Sequence, residues 1–488
     1  MLWISYLEKL LPTRRSEKSN LSTQCQKIPR ARFYDEYCET TVESSATHKP
    51  YRKFMSTTSD LFLDYYQLTM SQSFWRKHGE KEAIFELSFR GLPKNRGYLV
   101  TGGIEHCIQH IKKFSLSSES VDSLRNLKKF DQPFLMYLEN IKFTGEVWSV
   151  RDGEIIFANE PVLQIKAPII QCQLVETILI NTVNLHTLLA TKCTRVLHAA
   201  QGKPVIDFGA RRAHSKLAAF ALAEEAHLVG FTGTATVDAG INYSIPLVGT
   251  MAHSYVMSFE TELEAFRAYA EEFPHECTFL VDTYDSVEGL KNAVKIGLEM
   301  EKKGYRLFGV RLDSGDLQKL SEISRNLLDT SGLNYVQVIA SGGLDEYSIA
   351  DLERNQAPID IYGVGTKVSV SADAPWAETI YKMVEFNEMP VSKTSEHKES
   401  APYQKKVYRI MNDSGKYLQD VITAANSTDT FRDGEELLIH RIRTGNLLEP
   451  AMSLTNAQQF HRNVFDKLPA RYKALSSPPL YPVTHLIG

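Results

Sequence analysis

The chain has 488 residues, 43% of them hydrophobic, which is enough for two or three domains with a sizeable core. A formal net charge of −4 gives no electrostatic case for nucleic acid or an anionic membrane, so any phosphate binding must be local and built from a few placed side chains. No apolar run approaches the roughly 20 residues that a membrane-crossing helix needs.

Residues 1–50 are polar and mixed in charge without sustained periodicity, and read as a disordered or loosely docked extension. Met1–Leu11 has an apolar stripe but contains Glu8 and no small-residue cleavage site, which argues against a secretory signal and leaves organellar targeting open. The six cysteines (Cys25, Cys38, Cys107, Cys172, Cys193 and Cys277) lie far apart with no Cys-x-x-Cys pair. That spacing speaks against a zinc knuckle or a disulfide scaffold and for a reducing, cytoplasmic setting.

Ordered structure is expected from near Thr57. Ser59–Met70 has the pattern of a capped helix start, Glu82–Arg90 alternates like a half-buried strand, and 91–97 reads as a turn. Short strand-like runs from Phe143 to Ala167, split by Asp152-Gly153 and Glu160-Pro161, predict β-hairpins. A long helical pattern then runs from Glu176 to about Ala200. It leads into seven apolar runs separated by helical stretches: Pro204–Phe208, Leu228–Phe231, Pro246–Thr250, Thr278–Asp282, Leu307–Leu312, Tyr335–Ala340 and Ile359–Tyr362. Repeated strand–helix units imply a parallel sheet, barrel or doubly wound, and the regular spacing favours an incomplete barrel. Ser392–Pro402 is a charged loop, followed by short strands and a last helix at Thr455–Asp466. The expected fold class is therefore α/β. Residues 51–175 with 391–488 form an α+β domain, and residues 176–390 form an irregular, incomplete barrel of about seven parallel strands.

The polar residues collect at the carboxyl ends of those runs, the edge on which α/β folds carry their sites. Arg311 and Asp313 are two apart and so share a face of their strand; each needs a partner, either the other or a ligand. Gly342-Gly343 and Gly363-Val364-Gly365-Thr366-Lys367 follow the last two runs, where glycines and a helix start suit a phosphate. Asp285, three residues before Glu288, reads as a helix cap, whereas Asp282 ends an apolar run and has no such role. Arg211 follows Phe208-Gly209 and is a better ligand candidate than Arg212. His253 is placed at the site's rim, while His214 can simply face solvent.

With these residues assembled, the sequence closely resembles the nicotinate phosphoribosyltransferase family over about 57–390. The likeness rests on motifs in order: Asp64-Tyr65-Tyr66-Gln67, Phe85-Glu86-Leu87-Ser88-Phe89-Arg90, Phe208-Gly209-Ala210-Arg211-Arg212-Ala213, Gly249-Thr250-Met251-Ala252-His253-Ser254, Val310-Arg311-Leu312-Asp313-Ser314-Gly315-Asp316, Ala340-Ser341-Gly342-Gly343 and Tyr362-Gly363-Val364-Gly365-Thr366. The resemblance implies the type II phosphoribosyltransferase fold. It also implies synthesis of nicotinate mononucleotide from nicotinate and phosphoribosyl pyrophosphate, coupled to ATP hydrolysis, in NAD salvage. Mg²⁺ would be held through pyrophosphate, with its protein ligands unknown.

The resemblance implies residue roles as well. Phe208 and Tyr66 sandwich the pyridine ring, Arg211 faces the nicotinate, and Thr234 lies in the loop beside it. Arg311 lies by ring or phosphate, Asp313 holds ribose hydroxyls, and Gly342, Gly343, Gly363, Gly365 and Thr366 cradle the 5′-phosphate. Arg90 takes pyrophosphate. His253 corresponds to the family's phosphorylated histidine, with Asp282 orienting its imidazole. Asp64 and Tyr66 come from the neighbouring subunit of a homodimer. Related nicotinamide enzymes carry an aspartate where this chain has Ala235, and a carboxylate there would repel nicotinate. The rivals are a decarboxylating quinolinate enzyme without the histidine, a phosphate-binding barrel lyase or isomerase with Lys367 as nucleophile, and a non-catalytic relative.

Overall fold

The structure, a computed structural model, describes residues 60–393, 401–428, 431 and 434–487, and these lie in one compact unit. The expected N-terminal extension, the onset of order near Thr57 and most of the charged loop at 392–402 fall outside the described residues.

The first expected helix runs Tyr65–Lys77 rather than from Ser59. Asp64 takes the cap position, and its N–H donates to Gln67 Oε1 at 2.9 Å, which fixes the start five residues later than expected. The strand Glu82–Phe89 lies inside a seven-stranded sheet, between Thr379–Phe386 and Pro161–Pro168, both antiparallel to it. It is buried along nearly its whole length rather than half-buried. Ala83, Phe85, Leu87 and Phe89 face the main apolar core. Glu86, on the other face, is covered and takes an ion pair from buried Lys405 Nζ at 2.5 Å. The alternation was real, but its polar side is buried and paired. Of the expected hairpin runs, Glu146–Ser149 pairs antiparallel with Pro161–Pro168, but the run between them, Ile155–Ile156, pairs with Leu99–Val100 in a separate two-stranded sheet and so forms no hairpin with either neighbour. The strand Ile439–Arg443 adds to the same sheet, so the late chain segment completes it.

The parallel sheet has six strands in the order Gly233–Thr234, Val205–Asp207, Ile361–Val364, Gln337–Ala340, Gly309–Leu312, Thr278–Leu280. It curls without closing, an open half-barrel flanked by helices. Two of the seven expected strands differ. Leu228 and Val229 form the last buried turn of the helix Lys216–Val229, which ends at Gly230 (φ +122°), and the strand follows at Gly233. A short apolar run looks the same in a buried helix end and a buried strand. Pro246–Thr250 contributes a single parallel bridge, Leu247 to Thr234, at the sheet's edge.

The long helix Glu176–Ala199 packs against Lys216–Val229 and Glu346–Arg354. Its buried Lys192 pairs with Glu346 (2.5 Å) and Asp373 (2.7 Å), and Asp373 also binds Arg96 (2.9 Å). Each charge in this network has a partner, as burial requires. The C-terminal helix is Leu454–Lys467, and Asp285 caps Ser286–Lys302 through the N–H groups of Val287 and Glu288. Cys107, Cys172, Cys193 and Cys277 are buried and unpaired. No described helix is long and apolar enough to cross a membrane.

Candidate active site

The strand Gly309–Leu312 presents Arg311, and Asp313 follows at its carboxyl end. The parallel partner Gln337–Ala340 sets Ala340 beside Leu312, so the next residue, Ser341, falls between the two charged groups. Arg311 donates Nε to Ser341 Oγ (2.8 Å), Nη1 to Thr250 Oγ1 (2.9 Å) and Nη2 to Asp313 Oδ1 (2.7 Å). Ser341 Oγ in turn donates to Asp313 Oδ1 at 2.6 Å. Of the two partner choices open to Arg311 and Asp313, this structure has them bind each other. Burial pushes the Asp313 carboxyl up, but Ser341, Arg311 and His253 together outweigh it and hold the group below its ordinary value.

The Arg311 guanidinium lies over the Phe208 ring, 5.2 Å from its centroid. Phe208 leaves the strand Val205–Asp207, with its N–H bound to Val364 O at 2.7 Å. Its ring packs on Gly363, where a Cβ would lie 2.5 Å from Cε2. Glycine at 363 is therefore what lets the ring lie flat on the sheet edge.

His253 begins the short helix His253–Val256, and its side chain is 40% exposed. Nε2 lies 4.0 Å from Asp313 Oδ2, and Nδ1 is 3.1 Å from Thr283 Oγ1. The orienting group is thus Thr283 and not, as expected, Asp282. Asp282 Oδ2 instead accepts from Asp313 N–H (3.1 Å) and Ser314 Oγ (2.5 Å), holding the turn that carries Asp313. Its Oδ1 is buried without a hydrogen-bond partner. The displacement is by one residue: the chain turns after Val281, which sends Asp282 towards 313–314 and Thr283 towards the histidine.

The remaining candidates on this edge vary in how open they are. Arg211, in the short 3₁₀ turn Ala210–Arg212, is exposed. Thr234 is buried and its hydroxyl is committed to Asp207 Oδ2 at 2.7 Å, so it shapes the loop rather than facing solvent. Gly342 (φ +91°) and Gly343 (φ +69°) both occupy the left-handed region that favours glycine. Gly365 caps the short helix Thr366–Ser369, and Thr366 is exposed. Lys367 is ion-paired to Asp345 at 2.7 Å, which removes it as a free nucleophile.

Asp64, Tyr66 and Arg90 line cavities to which Phe208, Arg311, Asp313 and His253 do not contribute. Asp64 and Tyr66 line an open cavity of about 310 Å³ with Glu176, Thr177, Asn184 and Thr379. Thr177 Oγ1 donates to Asp64 Oδ2 at 2.7 Å. Arg90 pairs with Glu378 at 3.0 Å and lines a neighbouring cavity with Trp376 and Asp373. Sequence reasoning gave no role to Thr283, Ser341 or Thr250. Thr283 and Ser341 follow the carboxyl ends of strands and Thr250 ends the segment bridged at the sheet's edge, each next to a named candidate, and that position was the available signal.

Residues 61–184 match the model of the nicotinate phosphoribosyltransferase (NAPRTase) N-terminal domain, and residues 204–435 match the model of the NAPRTase family. The chain belongs to the nicotinate phosphoribosyltransferase family. It is 38% identical to nicotinate phosphoribosyltransferase pncB2 of Mycobacterium tuberculosis over 425 residues, covering 87% of this chain and 90% of the relative. It is 36% identical to the nicotinate phosphoribosyltransferase of Bacillus subtilis over 463 residues, covering 88% and 93%. Among solved structures, human nicotinic acid phosphoribosyltransferase superposes with a TM-score of 0.78 at 25% identity, covering 86% of this chain and 97% of that one. A nicotinate-nucleotide pyrophosphorylase from Pyrococcus furiosus shares the fold, with a TM-score of 0.69 at 24% identity over 84% of this chain and 95% of that one. Family membership thus covers both the antiparallel sheet and the half-barrel, including every residue described at the carboxyl edge.

Proposed function

We propose that this chain condenses nicotinate with phosphoribosyl pyrophosphate to nicotinate mononucleotide and pyrophosphate, and couples the reaction to ATP hydrolysis through a phosphohistidine at His253. The observation that carries the reading is the meeting of Phe208, Arg311, Asp313 and His253 on one strand edge, between two glycine turns.

The Phe208 ring offers a flat apolar face for the pyridine, and exposed Arg211 offers a charge for its carboxylate. Arg311 makes three hydrogen bonds and keeps N–H groups for the nicotinate or a phosphate. Asp313 Oδ2, the oxygen not engaged by Arg311 or Ser341, accepts from the ribose hydroxyls. The amides around Gly342, Gly343, Gly363, Gly365 and Thr366 take the 5′-phosphate. The pyridine nitrogen bonds to the ribosyl carbon while that carbon's bond to pyrophosphate breaks. The transition state is cation-like, so fixed geometry and stabilisation of the departing anion are the main contributions.

Thr283 accepting from Nδ1–H leaves the Nε2 lone pair of His253 as the nucleophile. The Nε2–phosphorus bond forms as the γ-phosphorus–oxygen bond to ADP breaks, and water later releases phosphate. Mg²⁺ fits this edge, since the unpartnered Asp282 Oδ1 beside Asp313 is a hard oxygen donor. When bound it supplies charge neutralisation for pyrophosphate. Asp64 and Tyr66 act from the neighbouring subunit of a homodimer, with Tyr66 closing the ring stack, and Arg90 meets the pyrophosphate. Asp64 and Tyr66 line a cavity to which Phe208 does not contribute, and Tyr66 is 45% exposed, which supports that arrangement.

The test is product analysis with nicotinate, nicotinamide and quinolinate, each with phosphoribosyl pyrophosphate and with or without ATP. Nicotinate mononucleotide from nicotinate, with ATP stimulation, is the expected result. Turnover of quinolinate, or indifference to ATP, contradicts the proposal.

A further inference from the structure

A second cluster of chemically capable side chains is built from none of the residues above. His106 on the helix Ile104–Lys112, His186 on Glu176–Ala199 and Glu224 on Lys216–Val229 bring one ligand-type atom each within 4.8 Å of one another. His106 Nε2 lies 3.0 and 2.8 Å from the two Glu224 oxygens, and the two imidazoles, tilted at 43° to each other, have centroids 4.9 Å apart. We propose that His106, His186 and Glu224 form a zinc-class divalent metal site that staples these three helices together.

Three independent observations support a cation here rather than an ordinary hydrogen-bonded pair. First, His186 Nδ1 is 2.7 Å from Oε1 of buried Glu225, which leaves the ring's other nitrogen as a ligand atom. A carboxylate behind a metal-binding imidazole is the usual way such a ring is oriented. Second, Glu225 Oε2 is buried with no hydrogen-bond partner, and among the described residues no lysine or arginine is hydrogen-bonded to Glu224 or Glu225. A divalent ion would balance that acidic excess. Third, the backbone is shaped to admit the cluster. A Cβ at Gly102 would lie 2.6 Å from Glu225 Oε2, and one at Gly103 (φ +76°) would lie 3.0 Å from the His186 ring. At Gly103 the positive φ favours glycine and so helps the start of the helix Ile104–Lys112 close over His186.

Two imidazoles and one carboxylate suit Zn²⁺ rather than Mg²⁺ or Ca²⁺, with solvent at the fourth position through partly exposed His106. Zinc bonds of about 2.1 Å put ligand atoms roughly 3.4 Å apart, so small side-chain shifts complete the geometry. The ion would fix Lys216–Val229, the helix that follows the turn carrying Arg211, against the long helix. Its role is therefore structural.

The test uses the full-length chain, stripped with a chelator and titrated with ZnCl₂ against a chromophoric competitor, with Co²⁺ as a spectroscopic stand-in. The expected result is one zinc per chain after desalting and a higher melting temperature with zinc than without. His106→Gln and Glu224→Gln each weaken binding by at least about tenfold and abolish the melting shift. A wild-type chain that retains no stoichiometric zinc, or stoichiometric zinc that survives either substitution unchanged, overturns the proposal.

Discussion

Thr283 Oγ1 lies 3.1 Å from His253 Nδ1, and the ring's other nitrogen, Nε2, faces the free oxygen of Asp313 at 4.0 Å. The two contacts divide the imidazole's work. One side is held by a neutral hydroxyl, and the other is left for chemistry beside the Asp313 carboxylate, which is proposed to bind ribose. Thr283→Val should therefore lower ATP-stimulated turnover roughly tenfold, on the order of a lost orienting hydrogen bond, while leaving ATP-independent turnover intact. Thr283→Ser keeps the hydroxyl and should restore stimulation. Paired rates with and without ATP make the measurement.

The glycine turn after Ala340 separates two causes of strain. At Gly342 (φ +91°) a Cβ would collide with the Asp313 carbonyl oxygen, whereas at Gly343 (φ +69°) it meets nothing within 4 Å. Gly343→Ala carries only the backbone cost, about 1 kcal/mol. Gly342→Ala adds the collision and displaces Asp313, so it should cost roughly 2–3 kcal/mol more and lower kcat/KM far below that of Gly343→Ala. Urea denaturation and steady-state kinetics on the two variants test the ordering.

Ala235 is exposed at the end of Gly233–Thr234, next to the Thr234–Asp207 hydrogen bond that fixes the loop. In the proposed binding mode, Ala235→Asp places a carboxylate where it repels nicotinate and accepts from an amide. The ratio of kcat/KM for nicotinamide over nicotinate should rise. An unchanged ratio would remove this position from the account of specificity.

His461 is buried, with Nδ1 2.8 Å from Gly153 O and Nε2 3.2 Å from Thr194 Oγ1. Burial pushes its pKa down to about 4, against the opposing pull of the Gly153 carbonyl. The unfolded chain protonates this group near 6.5 while the folded chain stays neutral to about 4, so stability falls as pH drops between those values. From pH 7 to 5 the loss from this residue is about 2 kcal/mol. Chemical denaturation should show a smaller loss over that interval for His461→Asn than for the wild type.

Much of this arrangement was legible beforehand because apolar runs ending in polar residues mark strand ends whatever the exact register. Arg311, Asp313, Phe208, His253 and the two glycine turns all fall on one edge for that reason. What escaped depended on geometry that no one-dimensional pattern carries. Leu228 and Val229 are apolar whether they end a helix or start a strand. Glu86 reads as solvent-facing until Lys405, 319 residues later, covers it. Asp282 and Thr283 differ only in the direction in which the chain turns after Val281, and that turn decides which of them meets His253.

The most direct test of the account is transfer of labelled phosphate from γ-labelled ATP to the protein. The wild-type chain should acquire acid-labile label at His253. His253→Ala should lose both the label and ATP stimulation, yet still make some nicotinate mononucleotide without ATP. Acid-labile labelling that persists in His253→Ala would contradict the assignment of the phosphorylated residue.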